Sequence, residues 1–580
     1  MADQTYDAVI VGGGNKALLL ALYLIKYAGM SVGIYERRHE IGGCLCTEEI
    51  CAPGFRGNPH ANIILPWYYA PIYRDFPEFW DYGAQYEQYI VSDGFVFKDK
   101  ENCLAIYSDK HDPNQEKTCT EIARFSEKDA QTWRKLWDLE QSDAYRRVMI
   151  DSIFNPPELM GHESIANRQM EVYPMLIEAG LDPDELMLMA SALRACRELF
   201  ESPELQSCIL RFSVSSVTDI NEPGCGSPMV LGHATTLPTI GFNRGGTHMI
   251  AHAAHQLLNQ MGCKFHINKH VEKAIIENGR ATGIRLSDGS EVKANRLVVS
   301  TQAPWQLLFD LIGEEYVPEK TAKRVKLIDR SFGCLMWYSM AVHEAPKYKA
   351  EAFNPDIHEC MWLGLQPDPD PMHIARECMY EKLHKFPPLE DYASTVWCHS
   401  LVDPTYAPPG KHVVQNEQLG PPASAFSEKE WLEIKDRYAD ELMKIWEDYA
   451  PNMTWDNVIG VDANTPYDAN RQLNLSPDGT MAGCDRTPYQ VGGMRPTPEL
   501  ANYRTPIENL YGTGGAWHPG SNAGSAESYN CFKAIAKDMG LNGPWGGGDE
   551  LEDPESLVES VWAIRNRLRE SATDTEKYRK

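Results

Sequence analysis

The chain has 580 residues and a formal net charge of −27, with 82 acidic against 55 basic side chains. This excess of negative charge repels nucleic-acid backbones and anionic lipid headgroups, which argues against nucleic-acid binding and polybasic membrane anchoring. Hydrophobic residues make up 43% of the chain, enough for sizeable cores, so a mainly disordered chain is excluded as well.

The compartment is predicted from the targeting signals and the cysteines. We see no basic and apolar signal pattern at the start, and charged residues interrupt every apolar stretch before about 18 residues, so we expect no integral membrane span. The 15 cysteines are scattered without a disulfide framework, which is typical of a reduced, cytoplasmic protein. Cys44, Cys46 and Cys51 lack the second pair that a metal site needs, and we predict no metal. The sequence leaves peripheral membrane contact and homo-oligomerisation open.

The first motif combines a strand, a glycine turn and a helix. Residues 8–11 are β-branched or small and apolar, three glycines follow, and residues 15–29 form an apolar helical stretch. The spacing is Gly12-x-Gly14-x-x-Ala17, in which the first glycine permits the tight turn, the second lets a pyrophosphate approach the backbone, and the alanine keeps helix and strand close. A purely structural turn is the alternative. The combined pattern favours a dinucleotide site at the helix N-terminus.

An acidic residue follows the second predicted strand. Residues 31–35 read as a strand and deliver Glu36, 24 positions after Gly12. At this spacing a carboxylate accepts hydrogen bonds from both ribose hydroxyls, and it disfavours a 2′-phosphate. The cofactor is therefore expected to carry an unmodified adenosine ribose.

Three segments resemble one family of flavoproteins. ERRHEIGG after GGGNKA resembles the flavin-binding opening of the two-dinucleotide-binding-domain flavoproteins, and residues 242–304 and 494–540 resemble the middle and closing parts of phytoene desaturase and carotenoid isomerase-like enzymes. The resemblance implies FAD as cofactor, with Glu36 on the adenosine ribose, Arg37 beside the adenosine and Val271 reading adenine through its backbone. The cofactor-binding residues that it implies are Gly12, Gly14, Asn15, Ala17, Glu36, Arg37, Gly42, Gly43, Val271, Gly514, Gly515 and His518.

The chain departs from this family at the first helix. Lys16 stands where relatives commonly carry small or polar residues, and the closing loop, GSNAGSAES, is less glycine-rich than that of carotenoid enzymes. The helix over residues 526–539 is predicted to point its N-terminus at the flavin pyrimidine edge, where it would stabilise the reduced ring. The departures question a carotenoid substrate more than a flavin cofactor.

The predicted fold class is α/β, with a Rossmann-like FAD-binding domain and an interleaved α+β substrate domain made of a mixed sheet plus helices. Residues 1–70, 240–320 and 490–545 form the discontinuous FAD-binding domain. Residues 71–239 and 321–489 form the substrate domain, in which residues 335–342, 361–365 and 395–402 read as strands of a sheet that roofs the flavin. Residues 546–580 form a C-terminal helical tail, which we expect to be exposed or partner-facing.

The predicted reaction is hydride transfer from an apolar, cyclic or polyene small molecule to flavin N5, catalysed by a desaturase or dehydrogenase. His60 and His518 lie in segments that should face the flavin, and they are the candidate catalytic bases because the pKa of histidine is close to neutral. The alternative is that each only hydrogen-bonds cofactor or backbone. Ten aromatic residues between 67 and 89 line a substrate channel or else form a core.

Two other functions stay open at this stage. The first is a redox-neutral isomerase or a saturase on the same scaffold, which would need reduced flavin at the start. The second is a flavin-free escort or binding protein of the same fold, against which the intact Glu36 and the glycine-rich loop argue. The electron acceptor cannot be deduced from the sequence.

Overall fold

The computed structural model describes residues 4–99, 102–160, 165–224, 226–365, 368–474, 478–521, 523–547 and 553–575. Residues 548–552 and 576–580 of the predicted tail lie outside the described residues. The strands are β1 (Gln4–Val11), β2 (Val32–Tyr35), β3 (Glu48–Ala52), β4 (Phe55–Gly57), β5 (Tyr86–Glu87), β6 (Val91–Val96), β7 (Cys103–Tyr107), β8 (Phe242–Asn243), β9 (Lys264–His266), β10 (Val271–Glu277), β11 (Arg280–Leu286), β12 (Glu291–Ser300), β13 (Cys334–Val342), β14 (Leu363–Leu365), β15 (Ser394–Trp397), β16 (His412–Gly420), β17 (Val458–Asn464), β18 (Leu510–Gly512), β19 (Asn542–Gly543) and β20 (Gly546–Gly547).

The helices begin at capping residues, and none of those described is long and apolar enough to cross a membrane. Ser126, for example, accepts a hydrogen bond from the backbone N–H of Asp129 at 3.1 Å and so caps the fifth helix, as the sequence predicts. The helices are α1 (Asn15–Lys26), α2 (Ala70–Asp75), α3 (Glu78–Asp81), α4 (Glu116–Ala123), α5 (Glu127–Glu140), α6 (Asp143–Ile153), α7 (Ile165–Glu178), α8 (Ala192–Leu199), α9 (Pro203–Ser215), α10 (Gly226–Thr236), α11 (His248–Gln260), α12 (Glu319–Lys326), α13 (Met372–Lys382), α14 (Glu428–Tyr449), α15 (Pro466–Leu473), α16 (Ala526–Met539) and α17 (Pro554–Thr575).

The first sheet has seven strands in the order β10–β11–β12–β1–β2–β9, with β18 paired to β12. β1 runs parallel to both neighbours, so Val9 lies opposite Val298 on one side and Gly33 on the other. Residues 8–11 are buried, as expected for a parallel strand that is covered on both faces. α1 packs against α11 and α16. The sheet thus gathers strands from the beginning, the middle and the end of the chain.

The second sheet also has seven strands, in the order β17–β13–β16–β15–β14–β6–β7. The β14–β6 pair is parallel and the other pairs are antiparallel, so the sheet is mixed. Its strands come from residues 91–107, 334–420 and 458–464, between the segments of the first sheet. The predicted α/β fold class with an interleaved α+β part is confirmed, and the domain boundaries stay a prediction.

The two faces of the second sheet pack against different partners. On one face, Tyr338 and Met340 lie in a core with Trp431, Tyr438 and Trp446 of α14. The opposite face belongs to the core that contains the helices α5, α8, α9 and α10. This second face, with the helices around it, is the side on which the cavity described below opens.

The aromatic segment between residues 67 and 89 is mainly core. Phe76, Phe79 and Tyr86 are buried in the core of the first sheet, which supports the alternative of a core rather than a channel. Tyr68 and Tyr69 alone among the described side chains of this segment line the cavity, and the side chain of Trp67 lies outside the described residues. The aromatic segment therefore contributes one short stretch of wall.

The C-terminal helix is packed rather than solvated. α17 contacts α2 and α6. Its buried apolar side chains repeat every three or four residues, at Leu557, Val561, Ile564 and Leu568, and form one continuous stripe. The expectation of an exposed or partner-facing helix is therefore wrong for this face, because the stripe is covered by the protein itself.

Candidate cofactor and substrate site

One cavity of about 560 Å³ connects the two sheets. The cofactor-site residues predicted from the sequence divide into two groups by their relation to this cavity. Those that line it are Gly12, Gly14, Asn15, Glu36, Arg37, Gly43, Val271, Gly514, Gly515 and His518. Ala17 and Gly42 lie behind the surface, where Ala17 packs fully buried in the core of the first sheet and Gly42 donates its N–H to the carbonyl of Gly13 at 2.8 Å.

The glycine turn forms a cradle that a larger side chain would fill. Gly12 has a φ of +94°, and a Cβ there would lie 2.4 Å from Oγ1 of Thr301. Gly14 begins α1 and, within the described chain, receives no side-chain cap. A Cβ on Gly14 would meet only Gly43 Cα, at 3.9 Å, so the space beside the helix N-terminus is open to the cavity. Such a terminus with uncapped N–H groups fits a pyrophosphate.

Glu36 is held over this turn at the end of β2. Its Oε2 accepts a hydrogen bond from the N–H of Gly13 at 2.7 Å, and its Oε1 accepts one from the N–H of Arg38 at 2.8 Å. The two backbone donors fix the carboxylate at the cavity wall with one acceptor direction of each oxygen still available. This geometry fits the predicted contact with a ribose.

Arg37 connects the cofactor side of the cavity to the second half of the chain. Its Nη2 donates to the carbonyl oxygens of Arg471 and Gln472, at 3.3 Å each. The side chain lines the cavity beside Glu36, as predicted, and it also joins the loop after β2 to α15.

Lys16, the residue that departs from the resembled family, forms a buried ion pair with Glu527 of α16. It also donates to the carbonyl of Gly524 and to Oγ of Ser521, the latter at 3.3 Å. Burial lowers the pKa of Lys16, although the neighbouring Glu527 opposes the shift. Glu527 occupies the first turn of α16, so a carboxylate offsets part of the positive end of the helix that was expected to face the flavin.

The two histidines predicted as catalytic bases line the same cavity. The ring of His60 meets Trp337 edge to face, with ring centroids 5.7 Å apart, and its Nδ1 has no hydrogen-bond partner among the described residues. Burial lowers the pKa of His60 to about 3, so the ring is neutral at physiological pH. His518 is buried in the turn before α16, and its carbonyl accepts a hydrogen bond from the hydroxyl of Tyr503.

Glu417 is a cavity residue that sequence reasoning missed. It lies on β16, where Nε1 of Trp337 donates to its Oε2 at 3.2 Å. Burial raises the pKa of Glu417 to about 8. The signal in the sequence is an acid inside the apolar alternation of HVVQNEQLG, two positions from Gln415 and therefore on the same face of the strand.

The cavity continues between the helices α6, α7, α9 and α10, away from the glycine turn. The lining of this part is apolar or aromatic, with Val148, Met149, Ile153, Val172, Leu176, Phe212 and Leu231. A wall of this kind binds an apolar molecule because it offers dispersion contacts and few hydrogen bonds. The arrangement therefore joins a nucleotide cradle to an apolar chamber.

Cys44, at the cofactor end of the cavity, is in its protonated form. Burial raises the pKa of its thiol to about 11. A protonated thiol is a poor nucleophile, which argues against a cysteine-linked flavin here. In the part of the chain that the structure describes, no group of three His, Cys, Asp or Glu side chains converges as metal ligands would.

Comparison with known proteins gives relatives over nearly the whole chain. The family of NAD(P)-binding Rossmann-like domains matches residues 10–82. One of the two limonene dehydrogenase chains of Castellaniella defragrans is 26% identical over 560 residues, covering 94% of this chain and 97% of that protein. Pyridine nucleotide-disulfide oxidoreductase domain-containing protein 2 of Mus musculus is 28% identical over 567 residues, covering 92% and 94%. Shorter matches extend to prolycopene isomerases and to a phytoene desaturase of Cereibacter sphaeroides.

Solved structures share the fold. An oxidoreductase from Methanosarcina mazei superposes with a TM-score of 0.55 at 14% identity, covering 91% of this chain and 99% of that one. Cyclohexylamine oxidase from Brevibacterium oxydans superposes with a TM-score of 0.52 at 13% identity, covering 92% and 99%. Fold and site together define an FAD-dependent oxidoreductase with a Rossmann-like cofactor domain. Within that class the chain is phytoene desaturase-like, as the sequence resemblance implies.

Proposed function

We propose that the chain is an FAD-dependent dehydrogenase or desaturase that removes a hydride and a proton from an apolar, cyclic or polyene small molecule. The observation that carries the proposal is the single cavity, which runs from the uncapped N-terminus of α1 to the apolar chamber between α6, α7, α9 and α10. FAD, when bound, supplies the acceptor for the hydride. The chain supplies binding, orientation and a chamber from which water is largely excluded.

Each part of the predicted cofactor has a matching group in the chain. We assign the pyrophosphate to the turn at Gly12 and Gly14, the ribose to Glu36 and the adenine to the backbone of Val271. The turn from Gly514 to His518 lines the cavity close to the apolar chamber, and we assign the flavin ring to it. These assignments rest on the cradle beside Gly14 and on the fixed carboxylate of Glu36.

The substrate class follows from the wall of the chamber. Aliphatic and aromatic side chains dominate it, and the full-length relative from Castellaniella defragrans is named for limonene, an apolar cyclic hydrocarbon. We therefore infer an apolar hydrocarbon or terpenoid-like substrate rather than an amine. An aliphatic diamine would lose its hydration in this chamber without gaining matched charges.

A spectroscopic experiment tests this function. The purified protein is expected to be yellow and to release FAD on acid precipitation, because the site binds the cofactor without a covalent bond. Anaerobic addition of limonene, phytoene or another apolar alicyclic or polyene compound is then expected to bleach the flavin band, whereas putrescine serves as the polar control. Bleaching by putrescine alone, or a colourless protein that binds no added FAD, would contradict the proposal.

A redox-neutral isomerase is the second candidate. The observation in its favour is the acid Glu417, whose raised pKa leaves a proton available to a polyene near neutral pH. An isomerase of this kind needs reduced flavin at the start. Photoreduction of the protein before addition of a cis-polyene separates the two functions, since an isomerase then converts the polyene while the flavin stays reduced.

A further inference from the structure

The roof of the cavity presents a carboxylic acid toward the chamber. Gln415, on the same face of β16 as Glu417, donates through Nε2 to the carbonyl of Asn58 at 3.0 Å and to Oγ of Ser339 at 2.9 Å. These bonds hold the strand against the segment that carries His60. Glu417 therefore lies on a rigid strand that faces both the cofactor side and the apolar side of the cavity.

The hydrogen bonding of Glu417 leaves one of its oxygens available to a ligand. Oε2 accepts from Nε1 of Trp337, and no described residue forms a hydrogen bond or ion pair with Oε1. The nearest influential cation is Arg211, which is itself paired with Glu377 and donates to the carbonyl of Ala393. Because Arg211 is engaged elsewhere, it offsets little of the burial penalty on the carboxylate.

We propose that Glu417 is the acid–base residue that exchanges a proton with the substrate. This inference rests on the proposed function. In the direction of dehydrogenation, a hydride leaves one carbon for the flavin, which is the oxidant, and the Glu417 carboxylate takes the proton of the neighbouring carbon. The electron pair of that second C–H bond becomes the new carbon–carbon π bond, and Glu417 ends as the neutral acid. In the reverse direction the neutral acid returns the proton.

The geometry favours Glu417 over His60 as the proton acceptor. A base needs a proton affinity close to the working pH, and the pKa of Glu417, about 8, is closer to it than that of His60, about 3. His60 meets the ring of Trp337, the residue that holds Glu417, and so it is placed to orient this pair.

The test compares Glu417→Gln with Glu381→Gln. Glu381 is also buried with a raised pKa, but it lies outside the cavity lining and accepts from the N–H of Cys334 at 3.2 Å. Both variants should purify with FAD. Flavin bleaching by the active hydrocarbon is expected to slow about 10²-fold to 10⁴-fold in Glu417→Gln and to stay near the parental rate in Glu381→Gln. The parental rate should rise with pH toward the pKa of about 8, and Glu417→Gln should lack this rise.

Infrared difference spectroscopy gives a readout that needs no substrate. The parent should show a protonated-carboxyl C=O band that disappears as the pH is raised through about 8, and Glu417→Gln should lack that band. Parental bleaching by Glu417→Gln, or absence of a titrating band from the parent, overturns the inference. If none of the compounds bleaches the parent, the proposed function fails instead, and the infrared titration still decides whether Glu417 exchanges a proton in the accessible pH range.

Discussion

Lys16 and Glu527 form a buried ion pair that joins the first helix of the chain to α16, across 511 positions of sequence. Glu527 is fully buried and also accepts a hydrogen bond from Oγ of Ser521 at 2.6 Å. The pair therefore connects the loop before α16 with the helix that begins at the glycine turn. It lies directly behind the wall to which we assign the cofactor.

Removing one partner of this pair should destabilise the protein strongly. Lys16→Met leaves the carboxylate of Glu527 buried without its cation, and we expect the free energy of unfolding to fall by about 3 to 5 kcal/mol. Denaturant titration followed by flavin fluorescence measures the change. The double variant with Glu527→Gln should lose less than the two single losses added together. The exposed pair of Lys347 and Glu344 is the control, and Lys347→Met should change stability little. Equal effects in Lys16→Met and Lys347→Met would contradict the assignment.

Glu36→Ala should weaken FAD binding by about tenfold to a hundredfold, because a hydrogen bond to a charged group contributes about 1.5 to 3 kcal/mol. Glu36→Gln should cost less, since it retains one acceptor toward the turn at Gly13. Titration of apoprotein with FAD measures the affinity. Glu291→Gln, an exposed acid on β12 of the same sheet, is the matched control. Unchanged affinity in both Glu36 variants would show that the turn is only structural.

The raised pKa of Glu417 predicts a pH-dependent stability. The pKa rises from 4.5 to about 8 on folding, so the unfolded chain releases this proton at lower pH than the folded chain. The contribution of the group to stability is therefore complete below about pH 4.5 and is lost as the pH rises to about 8. Glu417→Gln removes this loss. Relative to the parent, the variant should gain stability between pH 5 and about pH 9, as measured by thermal melting, and a constant difference would contradict the shifted pKa.

His60→Gln should lower the rate of flavin bleaching without moving the pH profile between about pH 5 and pH 9. The reason is that burial lowers the pKa of His60 to about 3, so this residue does not titrate in that range. His518→Ala is expected to act through cofactor retention and KM, because the residue lies in the turn assigned to the flavin. His358→Gln, at an exposed position, serves as the control. Loss of a titration step in His60→Gln would assign the proton transfer to that histidine instead.

The tail helix should be required for stability because it supplies a buried cation. Nε of Arg565 donates to Asp109 at 2.7 Å, and its Nη1 donates to Glu140 at 3.1 Å. Arg565→Met leaves the buried Asp109 without this cation, and the expected loss is about 3 to 5 kcal/mol. Arg567→Met, two residues along and exposed, should change the melting temperature little. Similar melting curves for the two variants would mean that α17 is only loosely attached.

Local patterns sufficed for the cofactor half of the fold. The glycine turn, Glu36 and the helix over residues 526–539 were predictable because each depends on residues that are close in sequence. The strands at 335–342 and 395–402 were predicted from their apolar alternation, and the structure has them at 334–342 and 394–397. Short-range signals of this kind give element type well and element ends less well.

Long-range partners were not predictable. Glu417 becomes a cavity residue only through the pairing of β16 with β13 and β15, which one sequence does not reveal. Lys16 was noticed as a departure, but its partner lies at the opposite end of the chain. The apolar stripe of α17 was visible as a pattern, whereas the surface that covers it depends on tertiary packing.

The pairing of β18 with β12 also governs the order of synthesis. Residues 298–300 of β12 have β1 on one side, and their other side is filled by residues 510–512. While the ribosome adds the two hundred or so residues between these segments, the nascent chain holds an unpaired apolar edge, which is an aggregation hazard. The flavin cradle can therefore be completed only when translation is nearly finished, and the emerging chain needs shielding by chaperones until then.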